Sequence, residues 1–89
     1  MDSALFESTL KRDGFNEIST AGFPTGHQLG DHEHPYELRA LVLEGEFHIA
    51  VDGRESAYRP GEIFVLAKGI RHAERTGPAG VRFLIGRKR

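Results

Sequence analysis

Eighty-nine residues suit one domain (1–89), and the absence of cysteine excludes any disulfide to support it. Twelve basic and 13 acidic side chains are interspersed to a net charge of −1, which excludes the dense basic face that binding to nucleic acid requires. No apolar run approaches the ~20 residues that span a bilayer, and the opening "MDSALFESTL" is too acidic and interrupted for a signal peptide, so a soluble cytoplasmic protein without nucleic-acid or membrane partners is expected.

The first residues predict a helix over about 3–13. Asp2 or Ser3 can cap it, Leu5, Phe6 and Leu10 fall near helical spacing, and Lys11 and Arg12 suit the negative C-terminal end. Gly14 can then stop it. From there glycine and proline punctuate the chain at short intervals, the pattern of an all-β sandwich or barrel over about 15–86.

"FNEIST" (15–20) is a first, weak strand, and "TGHQLGDHEH" (25–34) is extended but softened by two glycines. In "LRALVLE" (38–44), Leu38, Ala40 and Val42 share one face and Arg39, Leu41 and Leu43 the other, so both sides should be covered. "EFHIAV" (46–51) and "ESAYRP" (55–60) flank Asp52-Gly53, a strong signal for a type I′ hairpin. "EIFVLA" (62–67), "RHAERT" (71–76) and "VRFLIG" (81–86) complete seven to eight strands, with "TGPAG" (76–80) as a tight loop. The basic end "GRKR" (86–89) reads as a solvated terminus.

The chemistry lies in the histidines. On an extended segment residues i and i+2 point the same way, so His32 and His34 present their rings on one face. His72 follows "PGEIFVLAKGIR" and can begin a strand lying beside that pair. Three neutral imidazoles would hold one divalent ion (zinc, iron, nickel or manganese) while leaving positions open for water or a ligand. His27 and His48 read as surface, turn or subunit-contact residues.

The same residues carry a family pattern. Gly26 is followed, after five residues, by His32-Glu33-His34, and the segment closes on Gly45; Gly61 is followed, after five residues, by Ala67-Lys68-Gly69, then His72, then Thr76. This arrangement resembles the two motifs of the cupin family across residues 26–76. The resemblance implies a double-stranded β-helix, the RmlC-like jelly roll, with one divalent metal ion in the barrel mouth, and commonly a homodimer. The chain departs from the pattern in two places. Leu38 stands where the family has a glutamate, with Glu37 one position early, and Ala67 replaces a proline.

Glu37 is therefore an additional candidate ligand, on the condition that a bulge near Pro35 and Tyr36 shifts the strand's alternation by one. Glu74 shares a face with His72 and is a second candidate, as an acid or base or as a group orienting an imidazole. Gln28, Leu38, Ala40 and Val42 are the expected wall of a small-molecule pocket, with Tyr36 and Arg39 flanking it. Three readings stay open: a metal-dependent enzyme acting on a small molecule, a non-catalytic ligand- or metal-binding module, and a metal-free barrel with a structural role. A homodimer is expected because it would cover the exposed sheet edges and the two-sided apolar strand.

Overall fold

The computed structural model describes residues 1–89. One helix, α1 (Ser3–Arg12), precedes six antiparallel strands: β1 (Glu17–Phe23), β2 (Gln28–His32), β3 (Glu37–Val51), β4 (Arg54–Tyr58), β5 (Ile63–Leu66) and β6 (His72–Lys88). The Asp2 side chain caps α1 by accepting from the Ala4 and Leu5 N–H groups at 2.7 and 3.2 Å. Gly14, at φ +85°, turns the chain out of the helix, and the Phe15 N–H donates to the Leu10 carbonyl at 2.9 Å.

The two long strands organise everything else. The first part of β3 and the last part of β6 pair with each other and are flanked by β5 and β1. The last part of β3 and the first part of β6 pair again, now flanked by β4 and β2. The result is two four-stranded halves that share β3 and β6 and close over a common core.

Between the halves the ladder breaks. Gly45 lies opposite Val81 and Phe47 opposite Thr76, so Glu46 alone faces the four residues 77–80. Gly45 has φ +79°, and a Cβ built on it would sit 2.0 Å from the Gly80 carbonyl oxygen. Only a residue without a side chain fits there.

Two irregularities reset the alternation: residues 77–80 on β6, and on β3 Leu43, which is extra between the Val42–Phe83 and Glu44–Arg82 pairs. On β6, His72, Glu74 and Thr76 are buried before it, and Val81, Phe83 and Ile85 after it. On β3 the inward set changes from Leu38, Ala40 and Val42 to Phe47 and Ile49. Each long strand thus faces the same core in both halves through a change of parity, with apolar residues throughout on β3 and polar then apolar ones on β6.

A second cluster lies on the outside. Phe6 and Leu10 of α1 pack with Phe15 on Leu41 and Leu84, all five buried. Arg39 locks this layer by donating to Asp13 at 2.6 Å and lying over the Phe15 ring. The apolar outer face of residues 38–44 is therefore covered by the chain's own helix, and needs no second copy to shield Leu41.

Several expectations change accordingly. Residues 38–44 and 46–51 are one bent strand, and 71–76 and 81–86 another, because paired backbone continues on both sides of the break. Six strands result where seven to eight were expected. Residues 77–80 form a wide bulge within β6 and not a separate loop. "FNEIST" starts pairing at Glu17 and runs on to Phe23, and β6 extends through Lys88, so the basic end is part of the sheet. The Asp52-Gly53 hairpin is as read, with positive φ at both residues between paired Val51 and Arg54.

Gly26 and Gly45 share φ +79°, but a Cβ on Gly26 meets nothing within 4 Å. Gly26→Ala should cost about 1–2 kcal/mol from backbone strain alone. Gly45→Ala should cost a further ~1–3 kcal/mol of overpacking. Urea unfolding of the two variants checks this, and equal midpoints would sink the steric account of the bend.

Candidate metal centre

His32 ends β2 and lies directly opposite His72, which begins β6. His34 follows on the irregular segment before β3. The Gly69 N–H donates to the His34 carbonyl at 3.0 Å and holds that segment against the turn between β5 and β6. That turn, Ala67–Ile70, is closed by the Ile70 N–H donating to the Ala67 carbonyl and has Gly69 at φ +79° in its third position. Its glycine carries the geometry, which is why Ala67 suffices where proline was expected.

The structure brings His32, His34 and His72 together, with one ring nitrogen from each lying within 4.8 Å of the others. His72 is only 2% exposed, and the other two rings are half-buried. Two of the rings are fixed from behind through backbone. The His32 Nδ1–H donates to the Gly30 carbonyl at 2.8 Å and the His72 Nδ1–H to the Ile70 carbonyl at 3.1 Å. In the neutral form of each ring this leaves the Nε2 lone pair free. His34 Nδ1 lies 3.3 Å from the Tyr36 hydroxyl, whose ring stacks on the imidazole. Burial, followed by the neighbouring His72 and His32 charges, holds the His34 pKa below its ordinary 6.5, against the opposing pull of Glu74. Converging neutral imidazoles are the donor set that divalent transition ions take.

Glu74 points inward beside them and is 9% exposed. Its Oε1 is 3.2 Å from His32 Nε2 and 3.7 Å from His72 Nε2. Its Oε2 accepts from the His27 Nε2–H at 2.9 Å. His27 was read as a surface or turn residue, yet its ring stacks flat on Phe23 at 3.9 Å and reaches the site. The one hint in the sequence is the Pro24-Thr25-Gly26 turn, which folds residue 27 back over residue 23.

The cluster occupies one end of a cavity of about 150 Å³ whose remaining walls include Phe23, Phe47, Phe64, Phe83, Leu38 and Leu66, with Tyr36 and Arg87 also lining it. Of the expected pocket residues, Leu38 lines this cavity. Ala40 and Val42 are fully buried in the core and do not line it. Gln28 is exposed and lines a separate depression with Glu55 and Arg75.

Glu37 is not at the centre. His32, His34, Tyr36 and Leu38 all face the cavity in unbroken alternation, so no bulge at Pro35 and Tyr36 shifts it, and Glu37 lies by Lys68 and Lys88. Arg39 serves the helix contact described above. His48 faces outward, where Glu46 and Glu55 flank its ring. No helix is long and apolar enough to cross a membrane.

Fold and cluster together define a small antiparallel jelly-roll barrel with histidines at one end of a ligand-sized cavity. The model of the Cupin domain family matches residues 19–85, and the chain belongs to that family. Curated proteins give no match. Among solved structures, a protein of unknown function from Rhizobium leguminosarum bv. viciae is 20% identical, with 99% of this chain and 95% of that one covered and a TM-score of 0.77. An RmlC-like cupin from Shewanella frigidimarina is 25% identical over 80% of this chain and 63% of that one, with a TM-score of 0.68. The Cnp3 cupin domain of Schizosaccharomyces pombe is 14% identical over 80% of this chain, with a TM-score of 0.71. This chain spans 53% of that structure.

The sign of the His34 shift gives a pH dependence. A folded state that binds a proton less readily than the unfolded chain is undisturbed by this group above pH 6.5 and loses stability as pH falls below it. In metal-free protein the His34 ring, assigned in NMR spectra with His34→Gln, should titrate below 6.5. A midpoint above that value would contradict the burial argument.

Proposed function

We propose that this cupin binds one divalent metal ion through His32, His34 and His72 and presents it to a small molecule held in the adjoining cavity. The observation that carries the reading is the convergence of three ring nitrogens within 4.8 Å at the polar end of an otherwise apolar chamber. The donor chemistry fits: each ring can be neutral with a lone pair free, and each is oriented through its other nitrogen.

A divalent ion there supplies Lewis acidity toward a bound water or a carbonyl or carboxylate oxygen. The protein's own residues set the rest. The phenylalanines exclude water and favour a flat or branched apolar body. The chamber's volume restricts the ligand to a few non-hydrogen atoms beyond the coordinating group. Arg87, the one cation in the wall, would attract a ligand bearing negative charge. Ligand binding and turnover are both compatible with this arrangement, and both require the same three histidines.

Protein purified without a histidine tag and supplied with zinc, nickel, manganese or ferrous iron should retain about one equivalent by elemental analysis and melt at a higher temperature when loaded. His34→Ala and His72→Ala should lose that equivalent, whereas His48→Ala should keep it. Wild-type protein that stays metal-free with an unchanged melting temperature would overturn the reading and leave a barrel with a structural role.

A further inference from the structure

We infer that Glu74 is the fourth protein donor of this centre, and that His27 holds its carboxylate in place. This rests on the metal-binding reading above and concerns how the site is completed. The strand that follows His34 supplies no carboxylate, since Leu38 faces inward and Glu37 lies by Lys68 and Lys88. The inward carboxylate comes from the other long strand.

One of the two distances is that of adjacent donors around one ion, and the other is a little longer. Two ligand atoms about 2.1 Å from a common ion, at angles of about 90–110°, stand about 3.0–3.4 Å apart. Glu74 Oε1 is 3.2 Å from His32 Nε2 and 3.7 Å from His72 Nε2. Hydrogen bonds to Gly30 and Ile70 occupy the Nδ1–H of both rings, so in the neutral rings the two Nε2 lone pairs lie beside Oε1. A proton on one Nε2 would relieve the repulsion between them, and so would a divalent ion shared by all three; the donors already within 4.8 Å of one another are the three histidines, so Glu74 Oε1 would complete the set by closing on the ion.

The carboxylate is positioned for single-oxygen ligation. Its Oε2 is taken by the His27 Nε2–H at 2.9 Å, leaving Oε1 to the centre. His27 is itself fixed three ways. Its ring lies flat on Phe23, its N–H donates to the Pro24 carbonyl at 3.3 Å, and its carbonyl accepts from the Thr76 N–H at 3.1 Å. The Thr76 hydroxyl also donates to the Pro24 carbonyl, tying the turn to the strand that carries Glu74. Ion, Glu74 and His27 then form a chain in which each member orients the next. The bound site carries one net positive charge where three imidazoles alone would leave two, and its open positions face the apolar chamber.

The test uses cobalt(II) as the metal, with affinity from chelator competition and donor set from visible absorption. Wild type, Glu74→Gln, His27→Gln and His72→Ala are compared, each first melted metal-free to confirm folding. Glu74→Gln should weaken cobalt about 100-fold and move the absorption bands, because the donor set changes. His27→Gln should weaken it about tenfold with the bands unmoved. Wild type that binds no cobalt overturns the metal reading itself. Wild type that binds, with Glu74→Gln keeping its bands, overturns the Glu74 assignment and leaves the histidine centre standing. A crystal structure of cobalt-loaded wild type decides the same point without substitution. Oε1 at about 2.0–2.2 Å from the ion supports the assignment, and Oε1 outside the coordination shell refutes it.

Discussion

The close passage of Gly45 against the Gly80 carbonyl, where a Cβ would sit 2.0 Å away, is the constraint on which the rest of the structure depends. It lets two long strands bend together and pair twice with each other. A bend alone would turn one side of each strand toward the core in one half and toward solvent in the other. The unpaired residues at the bend correct this by shifting the alternation. His72 and Glu74 face inward in the first half of β6 for the same reason that Phe83 and Ile85 face inward in the second. The catalogue of inward residues, polar and apolar alike, follows from two neighbouring irregularities, the extra Leu43 on β3 and residues 77–80 on β6.

The polar residues so placed would be costly in isolation. A nearly buried carboxylate and a fully buried imidazole each need partners, since an unpaired buried polar group costs about 1–3 kcal/mol and a charge more. Every buried side-chain nitrogen and oxygen has one. The partners come largely from backbone carbonyls two residues away, at Gly30 and Ile70, and from His27. Local turns satisfy the outer nitrogens, while the inner ones are directed at each other. An arrangement of this kind holds its geometry before anything binds, which reduces the ordering cost that binding would otherwise carry.

The helix α1 plays a different part. It buries Phe6 and Leu10 against Leu41 and Leu84 on the outside of the barrel, opposite the cavity. A sheet this small has too little interior to bury both faces of β3. The helix supplies the missing layer, and the Arg39–Asp13 pair fixes its end. What looked in the sequence like an interface for a second copy is, for Leu41, an intramolecular contact. Periodicity shows that a face must be covered, but it does not name what covers it.

The histidine cluster was legible because it depends on short-range rules. Two residues apart on extended chain gives one face, and glycine-marked turns give the register that sets His72 opposite His32. Glu74 was legible for the same reason, being two residues from His72 on a strand that is regular there. The competing positions of Glu37 and Leu38 stayed open because the sequence carries a proline that permits a bulge. Only the shared cavity-facing side of His32, His34, Tyr36 and Leu38 decided it. The merging of eight segments into six strands was not legible, and His27 had only the hint of the Pro24-Thr25-Gly26 turn. Both rest on contacts between residues far apart in the chain, the Thr76 N–H with the His27 carbonyl and Gly45 with Gly80. By itself the sequence determined the alternation, the turns and the supply of ligating side chains, since these follow from backbone sterics and residue type within a few positions. The tertiary structure decided which carboxylate faces the imidazoles and what covers the outer face, because those depend on where two bent strands run out of room.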